Sequence, residues 1–515
     1  MPGGIWLLAA LIAITWFILW FVYRYSGILR LSRVWLVGTV LTLFWFLGYS
    51  YLWRQFPPPH ERNRVLIISG LSPHFLDAYL DSYLNEIYLY ESIKIKAERD
   101  KFLTYHPDWP LSIANWDSLR FPAYRAKLID FMAADYVFIW NQGDSPNEIS
   151  ADLLIRNRSA GFDTIRQAVV RSENHRLDLN LEMLEAFSLS AVDTTIYVSR
   201  WPEDVQRIWA RGRMAYISGD LASARSEFEE SLRIRSDFYP ARLELAQLEI
   251  DSALIAKADG GYFQQYLSQA SQHLDQLVDQ DTKDARVARI SGEYSILTEN
   301  FVIAEANLKE SYYVEPDNDR LYLDFTHLHP SRYKDLKFLD EEALFRMAVF
   351  VNPASVQARI HYSDYLNLKS RPEDSREMLL EILKFNPQHY DANMTLGKLD
   401  ILQQSYDQAL SLYSGMLEMP YSNLAPIKFN LAVAYFHQGK IQDASRIFEE
   451  LADQNSNPDA FLYLASIREK EGDVDSAIEY LRMRIRNNRG PNDRFKEEAR
   501  KRLVILLQRQ GEAVN

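Results

Sequence analysis

Two histidines in the second half of the chain come nearest to a metal-binding arrangement. His327 and His329 lie two positions apart, and Asp324 and Tyr333 flank them. Zinc sites use about three or four protein ligands, and the spacing around this pair indicates no third one. The sequence therefore favours a solvated loop here and predicts no metal site.

Other kinds of chemistry lack their essential residues. The chain has no cysteine, which excludes thiol nucleophiles, disulfides and zinc–thiolate sites. Residues 70–73, Gly-Leu-Ser-Pro, have too few glycines and no lysine for a phosphate-binding loop. There is no Gly-x-Ser-x-Gly motif, and carboxylate pairs such as Asp144 with Glu148 are expected by chance in an acidic chain. We therefore expect no catalytic residue, cofactor or metal, and a protein that is not an enzyme.

Composition limits the partners. The 515 residues include 57 basic and 70 acidic side chains, which gives a formal net charge of -13. This charge repels nucleic acid, and no local basic cluster reverses it. The length and the 47% hydrophobic content are sufficient for several cores. We expect more than one domain, and partners that are other proteins.

Two uncharged apolar runs near the start of the chain predict membrane helices. They cover residues 5–23 and 34–53, and each approaches the roughly 20 residues that cross a bilayer as a helix. Aromatic residues such as Trp20 and Trp53 lie near their ends, as at membrane interfaces. The first run lacks a basic flank and a small-residue cleavage site, which disfavours a signal peptide. We predict two transmembrane helices, followed by a proline-rich linker over 55–63.

The basic residues around these runs predict an orientation. Arg24, Arg30 and Arg33 lie between the runs, whereas residues 1–4 carry no charged side chain. The positive-inside rule places the connection in the cytoplasm and the remainder of the chain outside it. We therefore predict a multi-pass protein of a bacterial inner membrane with a periplasmic soluble part. Arg54, Arg62 and Arg64 follow the second run and weaken the bias, so a cytoplasmic soluble part stays as the alternative.

Residues 64–200 predict a small α/β domain. Strand patterns occur over 65–68, 93–95, 134–140, 149–156 and 162–171, and helix patterns over 74–89, 124–132 and 177–190. The element order and the stretch 134–137 resemble the TolB amino-terminal-like domain over 64–190, although the insert over 104–122 departs from a compact version. This resemblance implies a binding module rather than an enzyme.

The sequence over 205–491 repeats roughly every 34 residues, a period typical of stacked helix pairs. The first helix of the fourth unit is degenerate, but most units combine small residues with a large apolar one: Gly212, Ala224 and Phe228 in the first unit, Gly292, Ala304 and Leu308 in the third, Gly397, Ala409 and Tyr413 in the sixth, and Ala432, Ala444 and Phe448 in the seventh. This pattern resembles the tetratricopeptide-repeat family. The resemblance implies a mainly α protein, with a solenoid of about eight helix pairs and a capping helix over 492–515.

Family geometry implies that the first helix of each pair lines a concave, partner-binding groove. Residues placed there are the candidate partner contacts: Trp209, Arg213, Tyr216, Arg286, Arg289, Met394, Lys398, Phe429, Phe436 and His437. Aromatic and arginine side chains are common energetic anchors of interfaces. The alternative is that a member such as Trp209 or Phe436 packs only against adjacent units. Trp209, Leu243 and Arg289 occupy places where chaperone-binding members carry a Lys/Asn clamp, so a chaperone carboxylate is not expected.

Together these patterns predict a membrane-anchored scaffold that binds proteins in a bacterial envelope assembly or secretion process. The partners are expected to be envelope or membrane-complex components. A second interpretation assigns the α/β domain to a small-molecule or glycan sensor or enzyme that the repeats position. A third is the cytoplasm-facing scaffold, which would organise regulators.

Overall fold

The computed structural model describes most of the chain beyond residue 200. The described residues are 12, 13, 15–21, 39, 42, 63–69, 84, 102–104, 121–142, 148–157, 162–171 and 201–514, the last without 259, 280–283, 334–337, 422 and 455. Most of both predicted membrane spans lies outside them, as do the linker up to residue 62, the strand over 93–95 and nearly all of the helices over 74–89 and 177–190. Within the part of the chain that is described, no helix combines the length and apolarity needed to cross a membrane.

The chain forms two compact units. One comprises Met1–Asn63 with Ala97–Phe102, and the other comprises Arg64–Lys96 with Leu103–Asn515. In the first unit the Trp16 indole nitrogen donates a hydrogen bond to the Thr42 hydroxyl at 3.0 Å. This bond joins the two apolar segments at one point.

Five strands form one mixed sheet in the order β2-β1-β3-β4-β5. They are β1 Asn63–Ser69, β2 Phe102–Thr104, β3 Tyr136–Gln142, β4 Glu148–Asn157 and β5 Phe162–Arg171. β1 runs parallel to β3, with Leu66 opposite Val137, whereas β3, β4 and β5 are antiparallel neighbours. The strands predicted over 65–68, 149–156 and 162–171 are confirmed.

The third strand begins later than the sequence predicted. Ala133 has a left-handed φ of 51° and ends helix α1, Pro122–Met132. The backbone amide of Asp135 donates to the Arg64 carbonyl at 2.8 Å, and the Asp135 carboxylate accepts from the Arg64 amide at 2.8 Å. Residues 133–135 are therefore a turn that joins α1 to β3, and the residue types of this stretch alone did not distinguish turn from strand.

Beyond residue 200 the described chain is helical. The helices are α2 Glu203–Ile217, α3 Leu221–Ile234, α4 Tyr239–Ala258, α5 Gln264–Asp279, α6 Ala285–Leu297, α7 Phe301–Val314, α8 Asp319–Phe325, α9 Glu341–Val351, α10 Val356–Leu368, α11 Pro372–Leu383, α12 Tyr390–Leu402, α13 Tyr406–Leu417, α14 Ala425–Gln438, α15 Ile441–Asp453, α16 Ala460–Glu471, α17 Val474–Arg486 and α18 Arg494–Val514. Pairs one to eight run from α2 with α3 to α16 with α17, and α18 follows them. The predicted mainly α solenoid is therefore confirmed.

The small residues of the repeat allow the two helices of a pair to approach closely. In the sixth pair, a Cβ atom on Gly397 would lie within the ring of Tyr413, and Tyr413 itself is fully buried. The Tyr413 hydroxyl donates to the Met394 carbonyl at 3.2 Å. The same contact joins Gly212 to Phe228 and Gly292 to Leu308, so the spacing of small and large residues reflects packing within a pair.

The sheet and α1 pack against the fifth and sixth helix pairs. Their shared core combines Leu66, Leu128, Ile129, Met132, Ala134 and Val137 with Ala354, Val356, Ile382, Phe385 and Ala392 of the solenoid. The ring of Phe385 lies 4.7 Å from that of Phe131 and 6.1 Å from that of Tyr124. The Tyr124 hydroxyl donates to the Phe385 carbonyl, and the Arg359 guanidinium lies 4.8 Å from the Phe131 ring. The solenoid therefore supports the sheet through an apolar contact.

A buried ion cluster holds the last helix. Arg484 is fully buried and donates to Asp493 at 2.8 and 2.9 Å and to Asp459 at 2.9 Å. Asp493 also accepts from the backbone amides of Phe495 and Lys496, which caps α18. Burial raises the pKa of Asp493, but the bonds from Arg484 and from backbone amides outweigh it and lower that pKa to about 2. Helix α18 is thus fixed to the eighth pair by charge-assisted hydrogen bonds.

Candidate functional site

Successive first helices contact one another from the first pair to the seventh, which places them on the inner side of a curved stack. Side chains from the first and fourth pairs meet there, although two pairs separate them in sequence. We call this cluster the polar floor: Arg213 and Tyr216 of α2, Glu244, Gln247 and Asp251 of α4, Arg286, Arg289 and Glu293 of α6, and Arg320 and Asp324 of α8. Four predicted partner contacts, Arg213, Tyr216, Arg286 and Arg289, therefore belong to one network.

Arg289 connects three helices of the polar floor. One guanidinium nitrogen lies 3.0 Å from the Glu293 carboxylate and 3.3 Å from that of Asp324. Another donates to the side-chain oxygen of Gln247 on α4. The Arg289 side chain is almost fully buried, so its charge is neutralised within the protein. It is part of the structure of the floor in this conformation.

Arg320 connects the first and fourth pairs across the inner face. Its guanidinium donates to the Tyr216 hydroxyl at 3.3 Å and to the Asp251 carboxylate at 3.4 Å. Tyr216 in turn donates to Asp251. Side chains of the protein itself therefore fill the inner face over the first four pairs.

Burial raises the pKa of two groups in the polar floor, Asp324 and Tyr216. Burial raises the pKa of Asp324 well above its usual range, the nearby Glu293 acts in the same direction, and Arg289 only partly opposes them. Burial likewise raises the pKa of Tyr216. Asp324 thus holds a proton to higher pH than an ordinary aspartate, which lessens repulsion from Glu293 beside the single guanidinium of Arg289.

Two of the predicted contacts lie in the core. Trp209 is 2% exposed and Met394 is 7% exposed. The Trp209 ring packs edge-on against Phe238 at 6.4 Å, with the Arg213 guanidinium at 5.5 Å. Their burial corrects the expectation that both face a groove, because each points between adjacent pairs. For Trp209 the packing interpretation is the one that the structure supports.

First helices of pairs five to eight carry the exposed side chains of Asp364, Lys398, His437 and Lys470, and we call these residues together with Phe436 the open section. Lys398 on α12 and His437 on α14 are both exposed there. The His437 ring stacks on Tyr406, with centroids 6.3 Å apart and an interplanar angle of 11°. Asp364 on α10 lies close enough to Lys398 for the lysine to lower its pKa, although burial dominates and raises it. These side chains are therefore exposed to solvent.

Two half-buried aromatic rings border the open section. Phe436 carries the Lys470 ammonium 4.4 Å from its ring centroid and contacts Tyr463 at 5.4 Å. Phe429 packs edge-on against Phe448 at 5.7 Å and against Tyr463 at 5.6 Å. Phe436 therefore packs against Tyr463 and also lies beside the exposed ammonium of Lys470, whereas Phe429 contributes mainly to packing.

Comparison with known proteins decides the family of the repeats. Residues 429–490, which cover the seventh and eighth pairs, match the family described as tetratricopeptide repeat. The chain contains tetratricopeptide repeats. The resemblance predicted from the spacing of small and large residues is confirmed. None of the curated protein sequences matches this one.

Several solved structures of tetratricopeptide-repeat and other proteins are similar to parts of the chain. The PilW type IV pilus biogenesis factor is 20% identical over 39% of this chain and 91% of its own, with a TM-score of 0.33. A tetratricopeptide repeat protein from Parabacteroides merdae is 13% identical over 59% of this chain and 100% of its own, at 0.31. The APC/C hetero-tetramer Cut9-Hcn1 is 13% identical over 83% and 72%, at 0.43. At these scores the likeness carries no conclusion about function. The predicted TolB-like segment and its ligand-sensing alternative stay predictions.

The tetratricopeptide-repeat register explains which inner residues the sequence prediction missed. The residue directly after the small packing residue of a first helix faces the inner side in one pair after another. These residues are Arg213, Gln247, Glu293, Asp364 and Lys398. Asp364 and Gln247 were identifiable by this offset. Asp251 and Arg320 were not, because their role depends on the curvature that brings distant repeats together.

The two histidines singled out in the sequence have separate environments. The His329 ring nitrogen accepts from the Ser331 amide at 3.3 Å and caps the short turn Pro330–Arg332. Burial lowers the pKa of His327, and that of His361 on α10 is lowered for the same reason. In the described part of the chain, no group of three or more His, Asp or Glu side chains is placed to hold a metal ion.

Proposed function

We propose that this protein is a membrane-anchored scaffold that binds another protein along the open section. The observation that carries this proposal is the asymmetry of the inner face. Arg320 ties the first four repeats together through Tyr216 and Asp251, whereas Lys398, His437 and Lys470 are exposed in the later ones. A partner can reach these three side chains without breaking a buried ion pair.

The chemistry of the open section suits a peptide segment with apolar and acceptor groups. Phe436 offers an aromatic surface beside the Lys470 ammonium, and His437 offers a ring nitrogen. Aromatic residues are enriched among the energetic anchors of interfaces. The paired arginines of the polar floor contribute little unpaired charge, so we assign recognition to the later repeats.

Site-specific photo-crosslinking in living cells tests this assignment. A photoreactive phenylalanine analogue at His437 or Lys398 should capture the same protein, identified by mass spectrometry. The analogue at Tyr313, an exposed position on a second helix, serves as the control and should not capture it. Double replacement Phe436→Ala with Lys470→Ala should reduce the His437 crosslink by at least several-fold. Equal capture from Tyr313, or no effect of the double replacement, would refute the open section as the binding surface.

The proposed membrane anchor is supported by exposed apolar side chains in the first compact unit. Phe17, Ile18, Trp20 and Phe21 are all exposed on one short helical stretch. Contiguous apolar surface of this kind is unfavourable in water and typical of contact with lipid or another protein. Together with the apolar composition of 5–23 and 34–53, it supports insertion into a membrane.

We further propose that the repeats face the periplasm of a bacterial cell. Alkaline phosphatase, which is active only outside the cytoplasm, should be active when fused after Asn515, and a cytoplasm-active reporter at the same point should not. Replacing Arg24, Arg30 and Arg33 with glutamine should reduce phosphatase activity, since these residues hold the connection inside. The matched control replaces Arg54, Arg62 and Arg64 and should not reduce it. Activity of the cytoplasmic reporter instead would overturn the periplasmic location.

A further inference from the structure

Two loops that are far apart in sequence touch and close the stack of repeats on itself. One loop follows α4 in the second pair, and the other joins α17 to α18. The backbone amide of Asn492 donates to the carbonyl of Gly260 at 3.3 Å. We call this contact the clasp and define it by Gly260, Gly261, Gly490, Asn492 and Asp493. It connects the second repeat with the end of the eighth.

The clasp depends on backbone atoms that approach without side chains between them. A Cβ atom on Gly260 would lie 2.8 Å from the Asp493 Cα atom, and one on Gly490 would lie 2.8 Å from the Gly261 Cα atom. Gly260 also has a φ of +75°, which a side chain disfavours. A larger residue at Gly260 is therefore incompatible with the contact.

Hydrogen bonds and ion pairs hold the loop between α17 and α18 against the eighth pair. Asp493 accepts from the Arg489 amide at 2.9 Å and binds the buried Arg484. The Arg489 guanidinium lies 2.9 Å from the Asp459 carboxylate and donates to the side-chain oxygen of Asn457 at 3.1 Å. These bonds present the backbone of 489–493 to Gly260 in a fixed position. The other loop is tied to its own helix by the bond from the Gly261 amide to the Ala256 carbonyl at 2.7 Å.

We propose that the repeats form a closed ring around the inner face, and that opening of the clasp admits large molecules to the open section. This proposal rests on the proposed function, because it describes the control of access to the same surface. Among the described residues, backbone atoms form this contact, and the buried apolar clusters of the second and eighth pairs do not extend across it, so separating the loops leaves those clusters in place. The clasp can therefore open while the helix pairs on either side stay folded.

Distance measurements on the full chain test the closed state. The chain has no cysteine, so spin labels attach only where Tyr262→Cys and Asn488→Cys introduce them beside the two loops. Electron paramagnetic resonance should give one short distance between the labels. Gly260→Val should convert it to a longer and broader distribution. Gly219→Val is the matched control, because Gly219 has a φ of +84° in a turn between paired helices and its Cβ would contact nothing within 4 Å.

Chemical accessibility tests the control of access. Lys398→Cys places a thiol in the open section, and Val302→Cys places one at an exposed position on α7. We define the accessibility ratio as the rate at which a polymer-linked maleimide modifies the thiol, divided by the rate for N-ethylmaleimide. This ratio should be several-fold lower at position 398 than at position 302. Gly260→Val should raise the ratio at 398 several-fold, and Gly219→Val should leave it unchanged.

Each outcome decides between a ring and an open stack. A long, broad distribution of distances between the labels at positions 262 and 488, with Gly260 unchanged, would show that the stack is open and overturn the proposal. Equal accessibility ratios at positions 398 and 302 would contradict the proposal that the clasp controls access to the open section. A ratio at position 398 that Gly260→Val does not change would contradict it as well. These measurements use no partner, so they can succeed where crosslinking at His437 fails. In that case the ring stands and the scaffold function does not.

Discussion

Replacing Arg484 with methionine should lower the free energy of unfolding of the repeats by about 3–5 kcal/mol. Arg484 is fully buried, and its guanidinium binds the nearly buried carboxylates of Asp459 and Asp493. Methionine fills much of the same volume but leaves both carboxylates without their shared cation. Urea unfolding followed by circular dichroism measures the change.

An exposed ion pair on the same last helix gives the matched control. Arg500 lies 2.6 Å from Glu497, and both side chains are more than half exposed. Solvent screens such pairs, so Arg500→Met should change stability by less than about 1 kcal/mol. Equal effects of the two replacements would show that the Arg484 cluster does not hold α18.

Lowering the pH should reduce the free energy of unfolding through the same cluster of Arg484, Asp459 and Asp493. The folded state lowers the pKa of Asp493 from its ordinary 3.8 to about 2, so the ionised group stabilises the fold above about pH 4. That contribution, about 2 kcal/mol, should be lost as the pH falls from about 4 toward 2, because the unfolded chain then binds the proton more readily. Arg484→Met should make the free energy of unfolding depend less on pH between about 4 and 2, and Arg500→Met should leave this dependence unchanged.

The repeats were predictable because each one satisfies its packing rule within a short stretch of sequence. Gly397 must be small because Tyr413 of the following helix lies against it, and the same relation joins Gly212 to Phe228. Such contacts involve neighbouring helices, so the spacing in the sequence reports them directly. The helix pairs, the capping helix and most of the described strands could therefore be predicted without a structure.

Contacts that depend on the curvature of the stack could not be predicted in this way. Arg320 lies on α8, where the repeat pattern is degenerate and the helix covers only Asp319–Phe325. Its partners Tyr216 and Asp251 belong to the first two repeats, and no local spacing relates the three. The clasp at Gly260 has the same origin. The sequence placed the candidate residues on first helices, but the packing of the whole stack decides which of their side chains lie in the core and which pair on the inner face.

Replacing Phe385 with alanine should release the sheet and α1 from the solenoid. Phe385 is buried in the turn after α11, where its ring packs against Phe131 and Tyr124. Removing a buried phenylalanine side chain costs about 3 kcal/mol or more, and here most of that loss falls on one contact between two substructures. Hydrogen exchange followed by mass spectrometry should show faster exchange in Pro122–Met132 and little change in α14 to α17.

The neighbouring Leu380→Ala is the control, since Leu380 is exposed on α11 of the same pair. It should leave exchange in α1 unchanged. If Phe385→Ala also left it unchanged, the sheet would be held by other contacts, and the packing of Leu128 and Met132 against Ile382 would be the next to test. If exchange rose in α1 and the fifth pair together, the two substructures would unfold as one cooperative unit. The sheet would then be an integral part of the solenoid, because the apolar face of the fifth pair would depend on it for burial.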